Sequence, residues 1–154
     1  ISAMAFSDDE QIVIEEKSKL KTVVFIVSIG LFILSLFNIC FCTDNSCKTS
    51  FESLLVGWLV VLTGGAAISW MANPFLIISW ILLTKNKKAA WVFALTASVF
   101  SISFLRFSVM IADEAGNYTA ILSIEPGYWL WLSSCLTTFI GSLIIRIVKA
   151  KTYK

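Results

Sequence analysis

Three of the four cysteines crowd into one short stretch, Cys40, Cys42 and Cys47, while Cys135 stands far from them in an apolar run. The chain has no histidine, so these thiols are its most evident nucleophiles and redox groups. Cys42 and Cys47 bracket Thr43-Asp44-Asn45-Ser46, a spacing that closes a small disulfide ring in an oxidising compartment, with Cys40 as a competing partner. A structural clip is the first expectation. A redox role is the second, weakened because a thiol oxidoreductase on a helical scaffold needs two dithiol couples and the later polar segment 113–127 holds no cysteine.

The other group able to do chemistry is Arg106, the one ionisable side chain well inside an apolar run. Asn73, next to Pro74 in an earlier run, is expected at similar depth, about 10 Å below the outer end of its helix. A charge at that depth costs on the order of 3 kcal/mol at the bilayer centre and less towards the surface, so it needs a partner or a route to water. Three arrangements supply one. Arg106 snorkels to the interface, pairs with Glu52, Asp113, Glu114 or Glu125, or lines a polar pocket with Trp70, Asn73, Glu125, Tyr128, Trp129 and Trp131. Glu125 is the expected carboxylate, because Pro126-Gly127 can turn its segment back over the following helix. Asn73 has a plainer role open to it. Pro74 removes the amide that would bond the Trp70 carbonyl, so Asn73 can satisfy the freed backbone of a kink.

The elements that hold these residues are read from hydropathy. Four apolar stretches, each near the ~20 residues that cross a bilayer, alternate with lysine clusters. Spans are expected at 23–41, 66–84, 89–112 and 128–148, in an all-α, four-helix membrane domain covering 23–148. The second stretch is too long for one pass, since 54–84 as one helix would reach ~46 Å against a hydrocarbon core of ~30 Å. Gly64-Gly65 is the expected break. Residues 51–63 then form a re-entrant or interfacial helix, a lid packed on the bundle, with Gly57-Trp58 at headgroup level. Small and polar residues at helical spacing mark packing faces: Ser28, Ser35 and Asn38 on the first span, Ala90, Ala94, Ala97, Ser98 and Ser101 on the third, Ser134, Thr138, Gly141 and Ser142 on the fourth.

Charge sets the orientation. Ten of the twelve Lys and Arg residues fall in 17–21, 85–88 and 146–154, which an even number of passes puts on one face; the positive-inside rule makes that face cytoplasmic, with both termini. The opposite segments 43–53 and 113–127 carry five acidic residues and Lys48. Ile1-Ser2-Ala3 before Met4 reads as a cleavage scar, making 1–22 a scar plus an acidic tail and 149–154 a basic tail. With 58% hydrophobic and 14% charged residues over 154 positions, no room is expected for a separate soluble domain. Nucleic-acid binding is not expected, for want of a basic surface. Neither a cofactor nor a metal is expected: there is no histidine ligand, and Gly64-Gly65-Ala66-Ala67 lacks the lysine and hydroxyl of a phosphate loop. No carboxylate lies within a span, so an ordinary proton-coupled transporter has no relay. Asn117-Tyr118-Thr119 fits a glycosylation acceptor, which matters only in a eukaryotic secretory pathway.

The strings Gly57-Trp58-Leu59, Trp70 with Ala72-Asn73-Pro74, and Gly127-Tyr128-Trp129-Leu130-Trp131 resemble a group of small, uncharacterised bacterial inner-membrane proteins of four spans. The resemblance covers about half the chain and implies a bacterial inner membrane without supplying a reaction. A looser likeness is to membrane immunity proteins of pore-forming toxins. The expectation is therefore a non-enzymatic binding or interaction protein acting through its outer face, in contact with membrane lipids and a protein partner there. A membrane thiol–quinone redox protein, resting on Cys40, Cys42 and Cys47, is the alternative.

Overall fold

A computed structural model describes residues 8–111 and 116–152. The expected scar, the partner candidates Asp113 and Glu114, and Lys154 lie outside the described residues. The chain runs α1 (Asp8–Leu36), β1 (Ile39–Thr43), β2 (Cys47–Thr49), α2 (Ser50–Val60), α3 (Ala72–Thr84), α4 (Ala90–Ser103), β3 (Val109–Ile111), β4 (Tyr118–Ile124) and α5 (Pro126–Thr152). Short 3-10 turns cover Val61–Thr63, Gly65–Met71 and Phe104–Arg106. Three helical segments are long and apolar enough to cross a membrane: Glu15–Leu36, Gly65–Thr84 and Pro126–Val148. A fourth, Ala90–Arg106, is apolar and shorter.

The all-α expectation is corrected by a four-stranded antiparallel sheet in the order β2-β1-β4-β3. It takes the ends of two expected spans. The first helix stops at Leu36, where Asn38 Nδ2 donates to the Leu34 carbonyl at 2.8 Å, and Ile39-Cys40-Phe41-Cys42-Thr43 continues as a strand. Residues 107–112 were expected in the third span, but helix ends at Arg106 and β3 follows. The cause is common to both: β-branched and aromatic residues raise hydropathy as much as helical leucines do, yet favour the pleated surface of a strand. The segment 113–127, expected as a loop, carries the seven-residue β4, which bridges the two halves of the sheet.

The glycine break is present. Gly64 at φ 78° and Gly65 at φ 60° occupy the left-handed region that side chains resist, and they separate the lid α2 from the helical run that follows. Thr49 starts α2 with a capping box: its hydroxyl accepts the Glu52 N–H at 3.1 Å, and Glu52 Oε2 accepts the Thr49 N–H at 3.0 Å.

Helices α1, α3, α4 and α5 pack on small and hydroxylated residues. Ser28 and Ser134 exchange hydrogen bonds with each other's carbonyls at 3.0 and 2.8 Å. The hydroxyls of Ser28 and Thr138 meet at 2.6 Å, and Trp80 Nε1 on α3 donates to Ser28 Oγ at 2.9 Å. These buried hydroxyls tie three helices together by polar groups. Gly141 brings α5 against α1; a Cβ there would overlap Val24.

The two ends of the bundle differ in chemistry. At one, Lys21 Nζ donates to Asn86 Oδ1 in the turn between α3 and α4, and the Arg146 guanidinium sits 4.5 Å over the Trp91 ring. Sheet and lid occupy the other.

Candidate functional site

The sheet, the lid and the ends of the helices enclose a cavity of about 390 Å³. That lies in the range of small-molecule pockets. Its floor is the aromatic and amide cluster where α3, α4 and α5 meet. There Tyr128, fully buried, donates its hydroxyl to the Ser101 carbonyl at 2.8 Å, and its ring packs on Phe104 at 5.4 Å. Phe104 in turn meets Phe41 of β1 at 5.4 Å, which locks the sheet to the bundle.

Asn73 is the hub of the wall. It receives the indole N–H of Trp131 at Oδ1, 2.9 Å away, and gives its own Nδ2 hydrogen to the Trp70 carbonyl at 3.1 Å. That carbonyl is the one Pro74 cannot serve, so the side chain fills the gap in the helix ladder and joins α5 to it. Trp70 continues the chain, with Nε1 donating to the Leu54 carbonyl of the lid at 2.9 Å. Gly57 makes the approach fit: a Cβ there would fall inside the Trp70 ring. A line of hydrogen bonds thus runs from α5 through the start of α3 to α2.

The opening is marked by exposed residues that also line the wall, Lys48, Glu52 and Val56. The Thr49 backbone N–H beside Glu52 holds its carboxyl below the usual carboxylate range, and Lys48 adds to that. Cys40 lines the inner wall, where burial pushes its thiol up to about 11. Gly127 leaves no space for a Cβ between Ser50 Oγ and the Asn38 and Ile39 carbonyls.

Of the seven residues expected in a pocket, Trp70, Asn73, Tyr128 and Trp131 line this cavity, and Arg106, Glu125 and Trp129 do not. Arg106 was expected a full ~10 Å below the helix end beside Asn73. Because α4 gives way to strand so early, Arg106 instead closes the last 3-10 turn, exposed, and makes no ion pair with a described residue. Glu125, its expected partner, accepts the Ser123 hydroxyl at 2.6 Å, while its N–H donates to the Cys40 carbonyl at 2.9 Å. Trp129 is half exposed and stands edge-on to Tyr128.

Cys42 and Cys47 face each other across the β1–β2 hairpin at disulfide distance. Cys40 and Cys135 are free and buried. Among the described residues no three His, Cys, Asp or Glu side chains gather to hold a metal ion. The sequence reading missed Lys48, Glu52 as a rim residue, and the seat at Gly57. Thr49-Ser50-Phe51-Glu52 carries the capping-box signature that places both the start of the lid and Glu52. No family model, curated protein or solved structure matches the chain.

Proposed function

We propose that the chain is a four-span protein of the bacterial inner membrane, with both termini cytoplasmic, that works without catalysis by binding at its outer face. The observation that carries this reading is the cavity of about 390 Å³ under a glycine-hinged lid, with a wall held by the Trp131–Asn73–Trp70–Leu54 line. Such a wall positions a shape. It offers no nucleophile with a base beside it.

Three helices meet the length for a span, and Ala90–Arg106 at 17 residues reaches ~25 Å, close to a hydrocarbon core when flanked by Lys87 and Lys88. The gathering of Lys21, Asn86 and Arg146 at the end opposite the sheet supports the cytoplasmic assignment of that end. Toxin immunity and service as an accessory subunit are two concrete forms of such binding.

A photo-cross-linking residue at Ala67, inside the cavity, tests the reading in intact cells against one at Ile144 on the lipid-facing side of α5. A defined adduct at Ala67 that is missing at Ile144 is expected. The same diffuse labelling at both positions would contradict binding at the cavity.

The thiol–quinone alternative rests on the Cys42–Cys47 pair. Relay through Cys40 requires a thiolate, and a buried thiol pushed up to about 11 supplies almost none at neutral pH. Changing Cys40, Cys42 and Cys47 to serine while the Ala67 adduct persists would remove the redox reading.

A further inference from the structure

The cavity joins two features that the binding reading alone does not use. Its interior is mainly apolar, walled by Phe32, Leu36, Phe41, Val60, Phe104 and Met110. A volume of about 390 Å³ admits a hydrocarbon chain. Its opening carries one positive and one negative side chain, Lys48 on β2 and Glu52 in the first turn of α2. The two are near enough for Lys48 to favour the Glu52 carboxylate, yet neither is in an ion pair with a described residue. Opposite charges held apart at the rim of a greasy slot match a head that carries both signs.

The lid faces the same medium. Phe51, Leu55, Trp58, Leu59 and Leu62 point away from the cavity, and Leu62 is 94% exposed. A helix with apolar side chains on its outer face and a capped, charged start lies in the plane of a membrane interface. Hydrocarbon chains therefore surround the lid, and Val56, half exposed on the cavity rim, marks their way in.

We propose that the cavity takes one acyl chain of a zwitterionic phospholipid from the outer leaflet, with the lipid phosphate against Lys48 and its primary ammonium against Glu52. The second chain stays in the bilayer. The lid is the gate, hinged at Gly64-Gly65 and latched by the Trp70 hydrogen bond to Leu54. This assignment rests on the outer-face binding reading and names its ligand class.

The full-length protein in nanodiscs of equal phosphatidylethanolamine and phosphatidylglycerol, released for native mass spectrometry, tests it. One phosphatidylethanolamine per chain should be retained, enriched about tenfold over phosphatidylglycerol, the effect of one charge-assisted hydrogen bond. Glu52→Gln keeps the capping box, because glutamine serves at that position, and should move the preference towards phosphatidylglycerol. Lys48→Gln should reduce retention of both lipids. Ala67→Phe should expel the chain, and glycerophosphoethanolamine without chains should not compete. Both rim variants lie on the surface and keep the fold, so equal retention of the two lipids by the native chain, or no response to Glu52→Gln, would overturn the assignment. A peptide rather than a lipid in the Ala67 adduct would also overturn it while leaving outer-face binding standing.

Discussion

Trp131 on α5 donates its indole N–H to Asn73 Oδ1 at 2.9 Å, and the amide of Asn73 passes a second hydrogen bond to the Trp70 carbonyl, which Pro74 cannot serve. One side chain therefore serves a carbonyl that Pro74 cannot and fastens a neighbouring helix there. Asn73→Leu leaves the Trp131 donor without its partner and removes one of the hydrogen bonds to the Trp70 carbonyl, in a partly buried place. It should lower stability by about 1–3 kcal/mol, read as thermal unfolding in detergent. Trp131→Phe should cost less, and the double variant should fall short of the sum by about 0.5 kcal/mol or more. Strict additivity would separate the two residues.

Glycines divide by backbone. Gly64→Leu and Gly65→Leu force side chains into left-handed or wider angles and should each destabilise by about 1–2 kcal/mol. Gly30 sits within α1 with open space where a Cβ would stand, so Gly30→Ala should stabilise by about 0.5–1 kcal/mol. Differential scanning fluorimetry should show the two hinge variants melting lower than the native chain and Gly30→Ala melting higher.

Gly57 and Trp70 form a pair that cannot be enlarged from one side. Gly57→Ala drives a methyl into the indole and should loosen the lid, seen as faster hydrogen exchange over Ser50–Val60. Trp70→Ala in the same chain should make the added methyl harmless. An equal effect of Gly57→Ala in both backgrounds would mean that helix propensity, not the ring, matters.

The hairpin clip should act on stability alone. By the loop-entropy relation, closing a ring of about six residues is worth about 2 kcal/mol, so Cys42→Ser with Cys47→Ser should lower the unfolding temperature and leave the Ala67 adduct intact. Cys40, buried with its thiol raised to about 11, should resist maleimide at about pH 7 until the protein unfolds.

Acid should weaken the lid through Glu52. Its carboxyl is lowered from 4.5 in the fold, so its contribution is fully present above that value and is lost as pH falls through the lower folded value. Glu52→Gln should remove that part of the acid limb of a stability–pH curve. An unchanged acid limb would show that the capping carboxylate adds nothing.

Helices and the glycine break were legible because each has a local cause: apolar length, and two residues tolerant of positive φ. The sheet was not, since Ile39–Thr43 and Val109–Ile111 are as apolar as the spans they follow, and their pairing with Tyr118–Ile124 joins segments far apart in the chain. The pocket was half legible. Trp70, Asn73, Tyr128 and Trp131 were placed by helix depth and aromatic position, which hold inside a regular bundle. Arg106 was placed by counting back from an assumed helix end, and the strand moved that end.

In the proposed arrangement lid, sheet and cavity face outward from a four-span bundle. Paired phosphatase and fluorescent-protein fusions at Asn45, Lys88, Asn117 and Lys154 test it most directly. An external signal is expected at Asn45 and Asn117 and a cytoplasmic signal at Lys88 and Lys154. An external signal at Lys88 would contradict the four-span arrangement and the outer-face cavity with it.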